Sequence, residues 1–254
     1  PVLASVLAGL ALVGGAVAGT PVDAYNSANP GAADSGSVNT NNSRINIAAN
    51  AKPANSVGVN SIVVGYQNTT DDNEGTTALG ANNQARGNSG LAVGNENYAN
   101  GGAATAIGAG NEARAAATVA LGNKNNANAT SAVAIGNYNN QNYTKNSTTT
   151  TPKQAGNYST AVGSYNAALG DNSVSVGAMN TSHVADTVTI GQNNEAKTMG
   201  GISIGKNNLT DSTNGNTNAP DTSDENSQIA IGRDNEATHL DTIAIGRETH
   251  ATGS

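Results

Sequence analysis

The chain of 254 residues is long enough for one or two globular domains, but its composition excludes an ordinary hydrophobic core. It contains no Phe, Trp or Cys, so disulfide bonds and thiolate chemistry are excluded as well. The formal net charge of −7 argues against general nucleic-acid binding, because contacts with phosphate groups need a basic surface.

The segment 1–19 differs from the rest of the chain. Val2 to Val13 is almost wholly apolar and precedes the small-residue run Ala16-Val17-Ala18, a combination typical of a signal-peptide core and its cleavage site. We therefore predict an exported protein, and the alternative is a short membrane helix weakened by glycines. The segment 20–56 is rich in Asn, Ser and Pro, which predicts a linker or an irregular N-terminal cap.

The segment 57–254 contains a repeat in which a small residue, a branched aliphatic residue and a glycine recur with a fixed period. The step from Ala92-Val93-Gly94 to Ala106-Ile107-Gly108 is one such period. Two intervals between repeat glycines, Gly136 to Gly163 and Gly205 to Gly232, are almost twice as long, which predicts insertions at about 138–158 and 207–227. A fixed period indicates stacked structural units.

Each unit also contains the pattern of a short β-strand. The residue three positions before the glycine is apolar or Thr, so Leu91 and Val93 lie on one side of the strand and Ala92 on the other. We predict that the aliphatic rows point into the roll, against a second strand of small residues such as Ala99. The row of Ala, Ser and Thr then faces outwards. Because such a coil buries little apolar surface, we expect this small-residue face to pack against other copies.

The turn after each glycine is marked by Asn, which stands three positions later in eleven of the twelve units, with Thr249 as the exception. Asn tolerates a left-handed backbone, and stacked Asn amides can form a ladder of hydrogen bonds between coils. Two strands and two turns within one period predict an all-β fold, a parallel β-roll.

Twelve units of the form (Val/Ile/Thr)-Ala-(Ile/Val/Leu)-Gly, from about Ser61 to Ser254, resemble the head repeats of YadA-like trimeric autotransporter adhesins. The resemblance implies a left-handed parallel β-roll that forms a homotrimer at the outer membrane of a Gram-negative bacterium. It also implies multivalent attachment to host extracellular matrix proteins, such as collagen, fibronectin or laminin, or to another cell. Anchoring in the membrane would then depend on a C-terminal region outside this chain.

The first insertion is a candidate ligand-binding loop, because tyrosine is favoured at interfaces and loops on a rigid rod carry specificity. The candidate residues are Tyr138, Tyr143, Tyr158 and Tyr165, together with Lys145 and Lys153. The alternative is a set of scattered turn tyrosines beside a polar tract.

A second candidate is a basic row near the C-terminal end. Lys206, Arg233 and Arg247 each follow a repeat glycine directly, so they stack on successive coils if the acidic second insertion loops out. We hypothesise that this row binds an acidic ligand or pairs with carboxylates across subunits.

Enzymatic chemistry lacks a candidate, so we predict no catalytic residue, no cofactor and no metal. The segment from Gly200 to Lys206 has the glycine and lysine spacing of a phosphate-binding loop, but Asn207 replaces the required Ser or Thr. The three histidines, His183, His239 and His250, follow their repeat glycines at unequal distances and are expected at the solvated surface.

Two alternatives to an adhesin remain. One is a passive spacer that holds a distal binding tip away from the cell. The other is an ice-binding β-roll, which needs a regular row of Thr on an exposed face. Here Thr77, Thr105 and Thr160 are interspersed with aliphatic residues, so that row is broken.

Overall fold

The structure is a computed structural model that describes the side chains of residues 60–70, 73–141, 154–211 and 227–252. It gives the backbone alone for Asn142 and for four strands, which are Val22–Tyr25, Ser35–Asn39, Arg44–Ala48 and Thr151–Pro152. The predicted signal segment 1–19 lies outside the described residues, as do Tyr143, Lys145 and Lys153.

Long strands, each of five residues, form the main sheet of the roll. They are Ile62–Tyr66, Thr77–Ala81, Leu91–Asn95, Thr105–Ala109, Val119–Asn123, Val133–Asn137, Thr160–Ser164, Val174–Ala178, Val188–Gln192, Ile202–Lys206, Ile229–Arg233 and Ile243–Arg247. Each pairs in parallel with the next so that repeat glycines are neighbours, as Gly94 and Gly108 are. Strand Arg44–Ala48 pairs in parallel with the first long strand, and the two strands before it extend the sheet by antiparallel pairing.

Short strands, each of two residues, form the second layer. One sheet contains Thr69–Thr70, Gln84–Ala85, Tyr98–Ala99, Glu112–Ala113 and Asn126–Ala127, and another contains Ala167–Ala168, Thr181–Ser182, Glu195–Ala196, Leu209–Thr210, Glu236–Ala237 and His250–Ala251. A long strand, a turn, a short strand and a second turn complete one coil. The predicted all-β parallel roll is confirmed, with about 12 coils.

The main sheet continues without a break across the two long intervals of the sequence. Gly136 pairs with Gly163 and Gly205 pairs with Gly232, although each pair is separated by almost twice the usual interval. At the first interval, strand Gln141–Asn142 leaves the roll and pairs in antiparallel with Thr151–Pro152.

Beside the first interval, the side chain of Asn140 joins the two sheets of short strands. Asn140 donates from its side-chain amide to the Asn126 carbonyl at 3.0 Å. Its side-chain oxygen accepts from the Ala168 amide at 2.8 Å. Asn126 belongs to the last short strand of the first sheet and Ala168 to the first short strand of the second, so Asn140 connects the two sheets.

The interior of the roll is the reverse of the one predicted from the sequence. Ala92, in the middle of a long strand, and Ala99, in a short strand, are both fully buried. The same holds for the small residues at the equivalent position of other long strands, which are Ala78, Ala106, Ala120, Ala134, Ala161, Ser175, Thr189, Ser203, Ala230 and Ala244. The prediction that the branched aliphatic rows fill the interior was wrong, because the small residues of the long strands pack there against the alanines of the short strands. In the first long strand the equivalent buried residue is Val63.

The branched aliphatic rows consequently lie on the outside of the main sheet. We call this the aliphatic face, and it consists of the first and third residues of every long strand. The first row is Ile62, Thr77, Leu91, Thr105, Val119, Val133, Thr160, Val174, Val188, Ile202, Ile229 and Ile243, and the second is Val64, Leu79, Val93, Ile107, Leu121, Ile135, Val162, Val176, Ile190, Ile204, Ile231 and Ile245. Exposure reaches 36 % for Ile107, 39 % for Ile190 and 63 % for Ile245.

The predicted ladder of Asn side chains is confirmed. Nδ2 of Asn97 donates to Oδ1 of Asn83 at 3.0 Å and to the backbone carbonyl of Gly108 at 2.8 Å. The ladder crosses both long intervals, since the Asn166 and Asn235 backbone amides donate to Oδ1 of Asn139 and Asn208. The left-handed backbone, however, falls on the residue before each Asn, as at Glu96 with a φ of 56°.

Candidate functional site

The roll presents four surfaces. They are the aliphatic face, the face of the short strands and two edges formed by the turns. The glycine edge comprises the three positions after each repeat glycine, such as 95–97. The opposite edge comprises the four positions before each long strand, such as 87–90.

The basic row stacks as the spacing predicts. Lys206 is paired with Arg233, and Arg233 with Arg247, in the register of the main sheet. The row occupies the glycine edge, where it borders the aliphatic face. Nε of Arg233 donates to Oδ2 of Asp234 at 3.0 Å, and Nε of Arg247 donates to Oε1 of Glu248 at 3.2 Å.

These arginines remain largely accessible, because 56 % of the Arg233 side chain and 67 % of the Arg247 side chain are exposed. Hydrogen bonds from Asn207 and then from Arg233 hold the pKa of Asp234 below its ordinary value. Asp234 is therefore held in the charged form that favours its contact with Arg233.

Two of the candidate tyrosines lie together on the glycine edge. The rings of Tyr138 and Tyr165 stack with 5.2 Å between centroids and an interplanar angle of 9°. Nζ of Lys124 lies 5.4 Å from the centroid of the Tyr138 ring, at cation–π distance. Both tyrosines follow their repeat glycines by two positions, so they belong to consecutive coils of the rod and not to the insertion.

Tyr158 is separated from this pair. It lies on the opposite edge, with 64 % of its surface exposed and a backbone φ of 57°. The expected tyrosine group therefore divides into a stacked pair on one edge and a single residue on the other.

A cluster of charged residues that sequence analysis missed lies on the face of the short strands. Nε2 of His183 is 2.8 Å from Oε1 of Glu195, and Nζ of Lys197 is 3.6 Å from both Glu195 Oε1 and Asp211 Oδ2. The hydrogen bond from His183 is the main cause of a lowered pKa of Glu195. Alignment of the coils could have found this cluster, because His183, Lys197 and Asp211 all occupy the sixth position after their repeat glycines.

A comparison with protein families matches the YadA head domain repeat over residues 56–83, 72–97, 113–139, 155–178 and 229–253. These ranges carry YadA head repeats. This family comprises adhesin-type surface proteins. A comparison with curated proteins finds no matching relative.

The regular coils of the roll also account for the segment that resembles a phosphate-binding loop. Ile202–Lys206 is a long strand, and Gly205 is paired with Gly191 in the main sheet. A phosphate-binding loop needs a helix after the glycines, and a β-strand occupies the place of that loop here.

Among the described residues, no group of three or more His, Asp or Glu side chains is placed to hold a metal ion. In the same part of the chain, no helix is long and apolar enough to cross a membrane. His183 contacts Glu195, whereas His250 contacts Glu236 at 3.4 Å.

Proposed function

We propose that this chain is the head of a trimeric adhesin on the surface of a Gram-negative bacterium, where it attaches to host matrix or to another cell without catalysing a reaction. The observation that carries the proposal is the aliphatic face. The family of the repeats supports it, since its members are adhesin-type surface proteins.

The aliphatic face calls for a partner because of its length. At about 4.8 Å per coil, twelve coils give a strip on the order of 60 Å long and two side chains wide. A soluble monomer rarely exposes continuous apolar patches above a few hundred Å². Interruptions by Thr77, Thr105 and Thr160 affect only one of the two rows.

Three copies of the chain are the proposed partners. A flat apolar face between two polar edges allows three parallel rolls to enclose their aliphatic faces around a common axis. Cyclic symmetry keeps the rods parallel, so their far ends point away from the cell together. The number three and the left-handed sense of the roll rest on the family resemblance.

Attachment would follow from multivalent display. Each recognition element is present three times on one rigid rod, so weak contacts act at a high effective concentration. The candidate elements are the first insertion, the Tyr138–Tyr165 pair and Tyr158. The ligands proposed are collagen, fibronectin, laminin or another cell surface.

The first test is the solution mass of the chain by light scattering. We expect three chains for the unsubstituted protein and one chain for the double variant Ile107→Asp, Ile190→Asp, because the two carboxylates would lie within the apolar interface. Gln84→Asp is the control and should remain trimeric, since Gln84 lies on the face of the short strands, on the other side of the roll from the aliphatic face. An unsubstituted chain that is monomeric at all concentrations would overturn the trimer.

Attachment is tested separately with a variant that lacks the segment 141–153. This deletion makes the interval from Gly136 to Gly163 equal to that of an ordinary coil. We expect a trimer that attaches less well to immobilised collagen, fibronectin or laminin. Full attachment by this variant would place recognition elsewhere on the rod, and no attachment by either protein to any surface would favour a passive spacer.

A further inference from the structure

Because its coils are so similar, the aliphatic face does not by itself fix the axial position of one copy against the next. Every coil presents nearly the same pair of aliphatic side chains, so a copy shifted by one coil keeps eleven of its twelve coils in contact. The apolar face alone therefore discriminates weakly between level and staggered copies. A uniform stagger would also give an open filament instead of a closed trimer.

The axial offset between copies must therefore be set by residues that differ from coil to coil, and such residues lie on the two edges. Copies without an axial offset are called level. In a cyclic assembly of parallel rolls, the glycine edge of one copy is adjacent to the opposite edge of the next copy, because the contact is heterologous. Charges on these two edges therefore meet only when the copies have the correct axial offset.

The positive partner is found near the C-terminal end of the glycine edge. In the first position after the repeat glycine, Lys206, Arg233 and Arg247 occupy the last three coils. The equivalent residues of earlier coils are uncharged, and they are Tyr66, Ala81, Asn95, Ala109, Asn123, Asn137, Ser164, Ala178 and Gln192. Positive charge at this position is thus confined to one level of the rod.

The negative partner is Asp241. It is exposed on the opposite edge, two positions before the long strand Ile243–Arg247. Along the chain, Asp241 lies between Arg233 and Arg247, which belong to consecutive coils. When neighbouring copies have no axial offset, Asp241 of one copy therefore lies at a height between these two arginines of the next copy. We propose that Asp241 of one copy pairs with Arg233 and Arg247 of the next copy and thereby holds the three rods level.

The arginines can serve both partners. Each guanidinium has five N–H donors, and the contact with Asp234 or Glu248 in its own chain involves Nε.

Another carboxylate of the opposite edge, Asp186, lies at a different height on the rod and has a partner in its own chain. It accepts from Nδ2 of Asn172 in its own chain at 3.0 Å and lies three coils away from Asp241.

The test uses disulfide formation in the full chain, which contains no natural cysteine. Asp241→Cys combined with Arg247→Cys should give covalently linked trimers under mild oxidation. Within one chain these two positions are about 20 Å apart along an extended strand, whereas a disulfide needs Cα atoms within about 7 Å. Any disulfide therefore reports a contact between copies.

The matched control is Asp186→Cys combined with Arg247→Cys, which places the first cysteine three coils, or about 14 Å, further along the same edge. We expect no covalent trimer from this pair. Equal cross-linking by both pairs, or cross-linking by the control alone, would overturn the level arrangement.

A second measurement does not depend on cysteine. Asp241→Lys should lower the midpoint temperature of trimer dissociation at low salt, and the difference from the unsubstituted chain should shrink as salt is added. An unchanged midpoint at low salt would contradict the proposal. The inference rests on the proposed trimer, and light scattering separates the two: a monomeric chain defeats both, whereas a trimer that fails these tests defeats the level arrangement alone.

Discussion

The repeat glycine and the repeat Asn act together in joining each coil to the next. Gly108 has a φ of 123°, and a Cβ atom there would overlap the carbonyl oxygen of Gly122 in the next coil. The same oxygen accepts a hydrogen bond of 2.7 Å from Nδ2 of Asn111. A side chain at the glycine would therefore displace the acceptor that joins Asn111 to the following coil.

We therefore predict that Gly108→Ala strongly lowers the stability of the fold. Left-handed backbone strain costs an alanine about 1–2 kcal/mol, and the overlap with Gly122 adds to that cost. We expect a loss of more than about 2 kcal/mol in the free energy of unfolding, measured by urea denaturation. Gly102→Ala is the matched control, since a Cβ at Gly102 meets nothing within 4 Å. Equal losses for the two variants would show that the overlap is relieved at little cost.

Charged side chains link the short strands next to the second insertion. Each has only two residues, and the His183, Glu195, Lys197 and Asp211 cluster joins consecutive short strands along their outer face. Side chains of Asp211 and Lys197 are only 4 % and 13 % exposed. Buried charges of opposite sign must remain paired, so this cluster fixes the coils next to the second insertion.

Acid should weaken this cluster through Glu195. Its folded pKa is lowered from 4.5, so the stability it contributes is present above pH 4.5 and is lost as the pH falls through the folded value. Glu195→Gln should remove this part of the acid sensitivity, by less than about 1 kcal/mol because the group is partly exposed. The measurement is urea unfolding at pH 7 and below pH 4.5. Glu96→Gln, on the exposed glycine edge, is the control, and an identical pH dependence in both variants would contradict the role of Glu195.

At the scale of the whole molecule, the rod is a one-dimensional stack. Each coil contacts its neighbours through the main sheet, the short strands and the Asn ladder, and coils further away make no direct contribution. The ladder continues from Asn139 to Asn166, where the backbone amide of Asn166 donates to Oδ1 of Asn139 at 3.0 Å. This continuity makes the first insertion an appendage to the rod.

Removal of that insertion should leave the rod intact. Without the segment 141–153, we expect unchanged β-sheet circular dichroism and a melting temperature that is equal or slightly higher, because a long loop no longer has to be closed. A control deletion of seven residues within one coil, 96–102, removes the ladder residue Asn97 and the short strand Tyr98–Ala99, and it should lower the melting temperature. A rod that unfolds without 141–153 would show that the insertion supports the coils.

The regular spacing of residues in the sequence determined which residues occupy equivalent positions in successive coils. The strand positions, the Asn ladder, the continuity of the main sheet across both long intervals and the stacking of Lys206, Arg233 and Arg247 follow from residues that recur at one phase. Which face is inside was decided only by the tertiary structure. An alternation of two apolar rows does not say which row is inside, and only the packing of the two layers places Ala92 in the interior and Val93 on the outer face. The tertiary structure also separates Tyr158 from Tyr165, because the long strand Thr160–Ser164 lies between them and carries the chain from one edge of the roll to the other.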